Sequence, residues 1–398
     1  MKMRSVEIFS GAGGLALGIS RAGFEHLAIV ERDGQACETL RENRSRVEAM
    51  RSWPIHHCDV RKFDFNSLPD DVELLAGGVP CQPFSIGGKH RGHEDERNMF
   101  PELMAAVRAV RPKAVLIENV RGLARPSFAK YFGYIELMLT YPELARRQNE
   151  EWIAHRTRLE RHHTAGGGKG LNYKVVHQVL NAADYGIPQR RERLFIVAIR
   201  ADLGVEWTFP HPTHSLDALL WDQYVSQEYW DRNLVPKLGR PRPDLIAERR
   251  LDCLKGSSAP LLTRGWRTVR DAIQDLPKPA PRRGIRETVL NHFFIPGARS
   301  YAGHTGSPLD EPAKTLKAGV HGVPGGENML ANPDGSVRYF TIKESARLQT
   351  FPDEFAFKGS WTESMRQIGN AVPVELAHLL ASNLKLVLAD RTRELGAA

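Results

Sequence analysis

Short apolar runs recur through the first half of the chain, at residues 5–9, 26–30, 74–76, 114–118, 174–180 and 194–199. Each is bounded by Gly, Pro or polar clusters and is too short for a helix core, so each reads as a strand. Residues 15–22, 36–43 and 99–110 lie between them, with apolar positions three and four apart, and predict amphipathic helices. Strand-like and helix-like segments in alternation imply an α/β fold, a mainly parallel sheet covered by helices. One stretch breaks the rhythm. From 143 to 163 the chain is highly charged, with large apolar residues only at Leu144, Trp152, Ile153 and Leu159. It predicts a solvated surface helix, and the following Gly166-Gly167-Gly168-Lys169-Gly170 predicts a flexible loop.

Beyond residue 201 the texture changes. Residues 202–337 hold fourteen of the 25 prolines and few periodic runs, which predicts a smaller, irregular, β-rich second domain. Helical patterning returns through 341–349 and 374–390, and Thr341 with Glu344 three positions later fits a capping box. The expected organisation is therefore a first domain over 1–201 with a charged insert at about 124–171, a second over 202–337, and a segment 338–398 that returns to the first.

Charge sharpens this division. The net charge is +8 with a pI of about 9.3. Residues 237–286 alone carry thirteen Lys/Arg against five Asp/Glu. A basic excess so concentrated points to a polyanionic partner. Four cysteines without paired spacing exclude a disulfide framework and a zinc ribbon, so a reducing compartment is expected. No apolar run approaches the ~18 residues of a membrane span, and the start runs directly into a strand without room for a signal peptide. The expectation is a soluble cytoplasmic protein.

The candidate chemistry centres on Cys81. It lies in Gly77-Gly78-Val79-Pro80-Cys81-Gln82-Pro83-Phe84-Ser85, directly after a buried-strand pattern. Glycines and prolines fix the turn, and a thiol at the carboxyl end of a strand is placed for chemistry. Cys37, Cys58 and Cys253 lack such a setting and read as small buried hydrophobes. Phe9-Ser10-Gly11-Ala12-Gly13-Gly14 follows the first strand and opens the first helix, where backbone approaches a ligand closely. Glu31 ends the second strand and suits two ribose hydroxyls; Asp59, after a third element, suits an adenine amine. Glu118 leaves an apolar strand partly desolvated, which suits proton donation. Alternation through Gln189-Arg190-Arg191-Glu192-Arg193 would aim Arg191 and Arg193 to one face, where they would hold a carboxylate or a carbonyl oxygen.

Taken together and in order, these strings resemble the cytosine-5 DNA methyltransferases of prokaryotic restriction–modification type. Further strings extend the likeness: Arg338-Tyr339-Phe340-Thr341-Ile342-Lys343-Glu344 through Pro352, and Gln367-Ile368-Gly369-Asn370-Ala371-Val372-Pro373. The resemblance implies a Rossmann-like S-adenosylmethionine-dependent catalytic domain and a target-recognition domain at 202–337. It implies Cys81 as the nucleophile toward ring carbon 6 of a flipped cytosine, with Glu118, Arg191 and Arg193 at the base. S-adenosylmethionine, with S-adenosylhomocysteine as product, would meet Phe9, Gly11, Gly13, Glu31, Asp59, Phe100 and Asn370. Ser85, Lys89 and Arg91, in a glycine-containing loop, and Thr315, in Pro312-Ala313-Lys314-Thr315-Leu316, would contact DNA. The likeness calls for no metal.

The chain departs from the family pattern in two places. The insert between Arg121 and Tyr173 is long, and Arg32 stands where a large apolar residue often covers the adenine. The implied partners are duplex DNA and a companion restriction endonuclease recognising the same site, without a stable complex. A monomer is expected. The competing readings are a tRNA cytosine-5 methyltransferase on the same scaffold, against which the large basic domain argues, and a catalytically inactive DNA-binding protein.

Overall fold

The computed structural model describes residues 2–80, 98–256, 261–281, 289–318 and 328–396, with side chains described through 389. Cys81, Ser85, Lys89 and Arg91 lie outside the described residues. Two compact units emerge. One comprises residues 1–180, 192–210 and 377–398, the other 181–191 and 211–376. The boundaries differ from those expected. Residues 181–191 leave the first domain, and the returning segment starts at 377 rather than 338. The reason lies in hydrogen bonds that hold residues 188–191 to 313–316 and to 348–371, described below.

The first unit contains seven strands: β1 (Met3–Ile8), β2 (Phe24–Glu31), β3 (Ile55–His57), β4 (Leu74–Gly78), β5 (Ala114–Val120), β6 (Tyr173–Asn181) and β7 (Glu192–Arg200). They form one sheet in the order β3-β2-β1-β4-β5-β7-β6. The pairs β1–β2, β2–β3, β1–β4 and β4–β5 are parallel, and β7 runs antiparallel to β5. Each strand predicted from the apolar runs is present, extended by a residue or two. The interleaved helices are α1 (Gly14–Arg21), α2 (Gly34–Asn43), α3 (Phe100–Val110), α4 (Ala129–Thr140) and α5 (Trp152–Thr164). Val115, Ile117, Leu75 and Ile196 from the sheet, with Leu103, Val107 and Ile135 from the helices, make a fully buried core. Burial of the sheet's centre on both faces is why its strands read as near-continuous apolar runs. Strand order reverses beside β1 and β4, and in such sheets ligands bind outside the carboxyl ends of the strands at that point.

The charged insert behaves differently from expectation. Of residues 143–163 only those from 152 onward are helical, and the helix they open, α5, is docked rather than solvated. Leu159 is fully buried, and Trp152 packs its ring edge-on to Tyr131 of α4. His155 is buried between the Tyr134 hydroxyl (2.8 Å) and the Leu144 carbonyl (2.6 Å), and burial lowers its pKa. Three apolar or aromatic positions on one stripe anchor a helix that is otherwise charged.

The second unit has short strands in two small sheets: β8 (His214–Ser215) with β9 (Arg264–Gly265), and β10 (Ser307–Pro308), β11 (Met329–Ala331) and β12 (Val337–Tyr339). Its helices are α6 (Leu216–Tyr224), α7 (Glu228–Arg232), α8 (Leu245–Lys255), α9 (Val269–Ile273), α10 (Ile342–Leu348) and α11 (Trp361–Asn370). A small core forms around Leu219, Tyr229 and Trp230. The predicted capping box is present: Thr341 accepts from the Glu344 amide at 3.1 Å while Glu344 accepts from the Thr341 amide at 2.9 Å. Cys253, expected inside, is exposed on α8; Cys37 is buried as expected and Cys58 partly so.

Helix α12 (Val374–Gly396) closes the chain, and Lys385 Nζ on it donates to the Ala22 carbonyl at 3.0 Å. The span Trp361–Ala389 is long and apolar enough to cross a membrane by length and composition, contrary to the sequence expectation. It is broken into α11 and α12 at Ala371–Pro373, and just over half of it is buried inside the protein.

Candidate active site

The end of β1 carries the first part of the site. Phe9 has φ of 56°, Gly11 of 54° and Gly13 of 82°, so the chain visits the left-handed region at alternate residues. For the non-glycine Phe9 this is a strained geometry, the kind retained where backbone shape matters for binding. A Cβ on Gly13 would lie 2.7 Å from Leu40 Cδ2 and 3.2 Å from Trp53, so glycine is required there on two counts. Glu31, at the end of β2, fixes this loop. One carboxylate oxygen accepts from the Gly11 amide and the other from the Asp33 amide, both at 2.7 Å. Each oxygen keeps a further lone pair, so the carboxylate remains able to accept a pair of hydroxyls.

Asp59 follows β3. It accepts from Arg61 Nη2 (2.6 Å), Nε (2.9 Å) and backbone N (3.0 Å), and Arg32 Nη1 lies 3.6 Å away. The Arg61 hydrogen bonds hold its carboxyl well below the usual carboxylate range. Arg32 therefore has a structural counterpart for its departure from the family pattern: it sits against Asp59 as an ionic neighbour.

The β4–β5 pair brings the acid to the loop. Gly78 is in register with Glu118. A Cβ on Gly78 would meet Glu118 Oε2 at 3.6 Å and the Phe9 carbonyl at 3.9 Å. Both are ordinary van der Waals contacts, so it is the β4–β5 register that brings the carboxylate beside the β1 loop. Beyond Gly78 the chain is held by Asn119 Nδ2, which donates to the Val79 carbonyl at 3.1 Å. Glu118 is in turn paired with Arg193 of β7, Nε to Oε1 at 3.1 Å, with only 16 % and 10 % of the two side chains exposed. Burial lowers the Arg193 pKa, and the Glu118 carboxylate opposes that effect.

The other expected site residues are placed as follows. Phe100 opens α3 and is fully buried in the core. Arg191 has a setting of its own. It precedes β7, belongs to the second unit, and is 1 % exposed. Its Nη2 donates to the carbonyls of Gly369 (2.8 Å) and Ala371 (2.9 Å), and its Nη1 to that of Leu316 (3.3 Å). Asn370, exposed at the end of α11, is also in the second unit, and Thr315 there donates its hydroxyl to the Arg190 carbonyl at 2.7 Å.

One residue escaped sequence reasoning. Glu7 is wholly buried in β1, and burial, with Glu31 nearby, pushes its carboxyl well above the ordinary range. The signal was an acid inside an apolar strand immediately before the glycine loop. No group of three or more His, Cys, Asp or Glu able to hold a metal occurs among the described residues. A cavity of about 350 Å³ opens beside the insert, lined by residues such as Met104, Arg108, Tyr131 and Trp152, none of them in this site.

The fold agrees with the comparisons. The C-5 cytosine-specific DNA methylase family matches residues 3–140 and 154–386. The chain belongs to this family. The gap in the match falls on the segment before α5. The chain is 32% identical to the Type II methyltransferase M.PspPI of Psychrobacter sp. strain TA137, over 94% of this chain and 76% of that protein. It is 31% identical to the Type II methyltransferase M.NgoMIV of Neisseria gonorrhoeae, over 96% and 97%. Among solved structures, the Dnmt2 methyltransferase of S. pombe superposes with a TM-score of 0.53 at 18% identity, covering 97% of this chain and 99% of that one. The Entamoeba histolytica methyltransferase EhMeth gives 0.55 at 13%, covering 98% and 99%. These two share the fold.

Proposed function

We propose that this methyltransferase carries the methyl group of S-adenosylmethionine to carbon 5 of a cytosine flipped out of a specific duplex DNA sequence. The observation that carries the reading is the convergence at the strand ends. Gly78 lies in register with Glu118 beside the β1 loop, Arg193 pairs with Glu118, and Cys81 follows three residues after Gly78.

The residues fit the cofactor. The Phe9–Gly13 backbone, held by Glu31, would take its polar end, Glu31 its ribose hydroxyls and Asp59 its adenine amine, and Asn370 would also contact it. The cofactor supplies an electrophilic methyl group. Cytosine carbon 5 is too weak a nucleophile to take it unaided, so covalent activation is needed. The Cys81 thiolate adds to ring carbon 6, and the electron pair moves toward carbon 5 and ring nitrogen 3. Glu118 donates a hydrogen bond or proton at nitrogen 3, which stabilises the adduct. Arg193 holds the developing negative charge at the carbonyl oxygen. Carbon 5 would take the methyl group as S-adenosylhomocysteine leaves with the sulfonium's electron pair; loss of the carbon 5 proton to a base would then re-form the carbon 5–carbon 6 double bond, expelling Cys81 as its thiolate, and nitrogen 3 would return its proton to Glu118.

The second unit, with the basic region 237–286, would grip phosphates and read bases, and Thr315 would contact the backbone. Ser85, Lys89 and Arg91 would contact DNA around the extruded base. By analogy with the named Type II relatives, the physiological role is protection of host DNA in a restriction–modification system. Incubation with duplex DNA and with tRNA, each with labelled cofactor, tests the reading. Methylation of duplex cytosines is expected, together with a covalent complex on 5-fluorocytosine DNA that Cys81→Ser abolishes. Methylation of tRNA alone, or trapping that survives Cys81→Ser, would overturn it. Bisulfite sequencing of the methylated duplex then gives the recognised site.

A further inference from the structure

Arg191 is among the largest side chains fully buried among the described residues, and its guanidinium donates to three backbone carbonyls. Its hydrogen bonds to Gly369 and Ala371 bracket Asn370 on both sides. Its bond to Leu316 is one residue from Thr315. The same two segments are gripped again by neighbours of Arg191. Gln189 accepts from the Leu316 amide at 2.9 Å and donates to Gln349 Oε1 at 3.2 Å. Gln349 in turn donates to the carbonyls of Ile368 (2.7 Å) and Ala371 (3.1 Å). Ala313 and Arg190 exchange backbone bonds with this string, since the Arg190 amide donates to Ala313 O at 2.8 Å and the Ala313 amide to Pro188 O at 3.0 Å. The packing leaves no slack: a Cβ on Gly369 would lie 2.3 Å from the Ala318 nitrogen. Residues 188–191, 313–318 and 368–371 are thus tied to one another by a continuous set of hydrogen bonds.

We propose that Arg191 is a positioning residue that couples cofactor binding at Asn370 to DNA binding at Thr315. The inference rests on the assignment of those two contacts in the reading above. A planar fork with five N–H donors reaches carbonyls on two segments at once; the point-like ammonium of lysine does not. Ordering of the Asn370 turn by cofactor therefore orders the Thr315 segment, and the reverse, so each ligand tightens the other by the same factor.

The test measures S-adenosylhomocysteine affinity by calorimetry with and without a duplex carrying the site mapped by bisulfite sequencing. Wild-type protein is expected to bind the cofactor product at least about fivefold more tightly with the duplex present, the lower end of ordinary coupling. Arg191→Lys is expected to bring that factor to about one while both ligands still bind. Arg193→Lys is expected to lose turnover but keep the factor. Should Arg191→Lys fail to fold, Gln349→Met, which cuts the Ile368 and Ala371 bonds from the other side, is expected to lower the factor likewise. A folded Arg191→Lys or Gln349→Met protein with the wild-type factor, or a wild-type factor of one, overturns the coupling alone. Wild-type protein that binds no S-adenosylhomocysteine overturns the functional reading, and the coupling with it.

Discussion

The Glu118–Arg193 pair can be separated into its structural and chemical contributions. Arg193→Leu removes the guanidinium but fills most of its volume. What remains is a carboxylate in β5, a strand buried in six of its seven positions, with its cationic neighbour at 3.1 Å gone. Stranding one member of a buried ion pair costs about 3–5 kcal/mol. The doubly apolar variant, Glu118→Leu with Arg193→Leu, strands nothing. Pairs replaced by packed hydrophobes are often near neutral, so most of the loss should return, roughly 3 kcal/mol. Turnover should behave differently. Removing one fixed donor aimed at developing charge costs about 10²–10³ in rate, and removing the acid as well cannot restore it. Urea unfolding of the four proteins in the cycle reads the first quantity, and single-turnover methyl transfer to duplex DNA reads the second. A single variant within about 1 kcal/mol of wild type, or a double variant as unstable as the sum of the singles, would refute the argument that the pair is held by mutual charge compensation.

Three other outcomes follow from the first unit. His26 is buried against Trp53, with Ser5 Oγ at 3.0 Å and the Ala16 carbonyl at 2.9 Å, and burial lowers its pKa to about 4. Between pH 4 and the unfolded value near 6.5 the unfolded chain binds more protons, so stability falls as pH drops through 6.5 and this loss ends below 4. At pH 5 it amounts to about 2 kcal/mol, and His26→Gln should flatten that part of a urea-midpoint profile. Asp59 should stay ionised down to the acid end of the folded range, because Arg61 holds its pKa low. Arg61→Ala should return the Asp59 titration, read by carboxyl NMR, toward about 3.9, and an unmoved titration would assign the shift elsewhere. Gly13→Ala meets both φ of +82° and a 2.7 Å contact with Leu40. A loss of about 1–2 kcal/mol in unfolding free energy is expected, with S-adenosylhomocysteine binding weakened in calorimetry.

The sheet was legible because its signal is local. Apolar runs such as Ala114–Ile117 are buried whatever packs on them, and the capping box at Thr341 is written in two residues three apart. Glu31, Asp59 and Glu118 were singled out for a related reason: each is a polar residue at or near the carboxyl end of a strand. What escaped depends on contacts distant in sequence. Arg191 looked catalytic by alternation with Arg193, but its partners Leu316, Gly369 and Ala371 are more than a hundred residues away. Helix α5 looked solvated because a stripe made by Trp152, His155 and Leu159 is diluted by eight charged or polar residues; only docking against Tyr131 and Tyr134 reveals it. Cys253 shows the opposite error, since a lone cysteine carries no sign of which side of a short helix faces outward.

The string from 189 to 193 explains why the two arginines cannot exchange roles. Each residue has its own partner: Gln189 the Leu316 amide, Arg190 the Glu311 carboxylate at 2.8 Å, Arg191 the three carbonyls, Glu192 the Arg121 guanidinium, and Arg193 the Glu118 carboxylate. The change of environment falls between 191 and 192, where β7 begins and where the Arg191 carbonyl accepts from the Ala182 amide to close the preceding loop. A one-residue slip would place a glutamate among the carbonyls that now accept from Arg191, or an arginine where Glu192 meets Arg121. Because a strand's side chains reverse face at every residue, no partial adjustment of register restores either set. The spacing of the two arginines is thus fixed by two different kinds of acceptor, backbone carbonyls for Arg191 and a carboxylate for Arg193. Composition alone could not have told them apart.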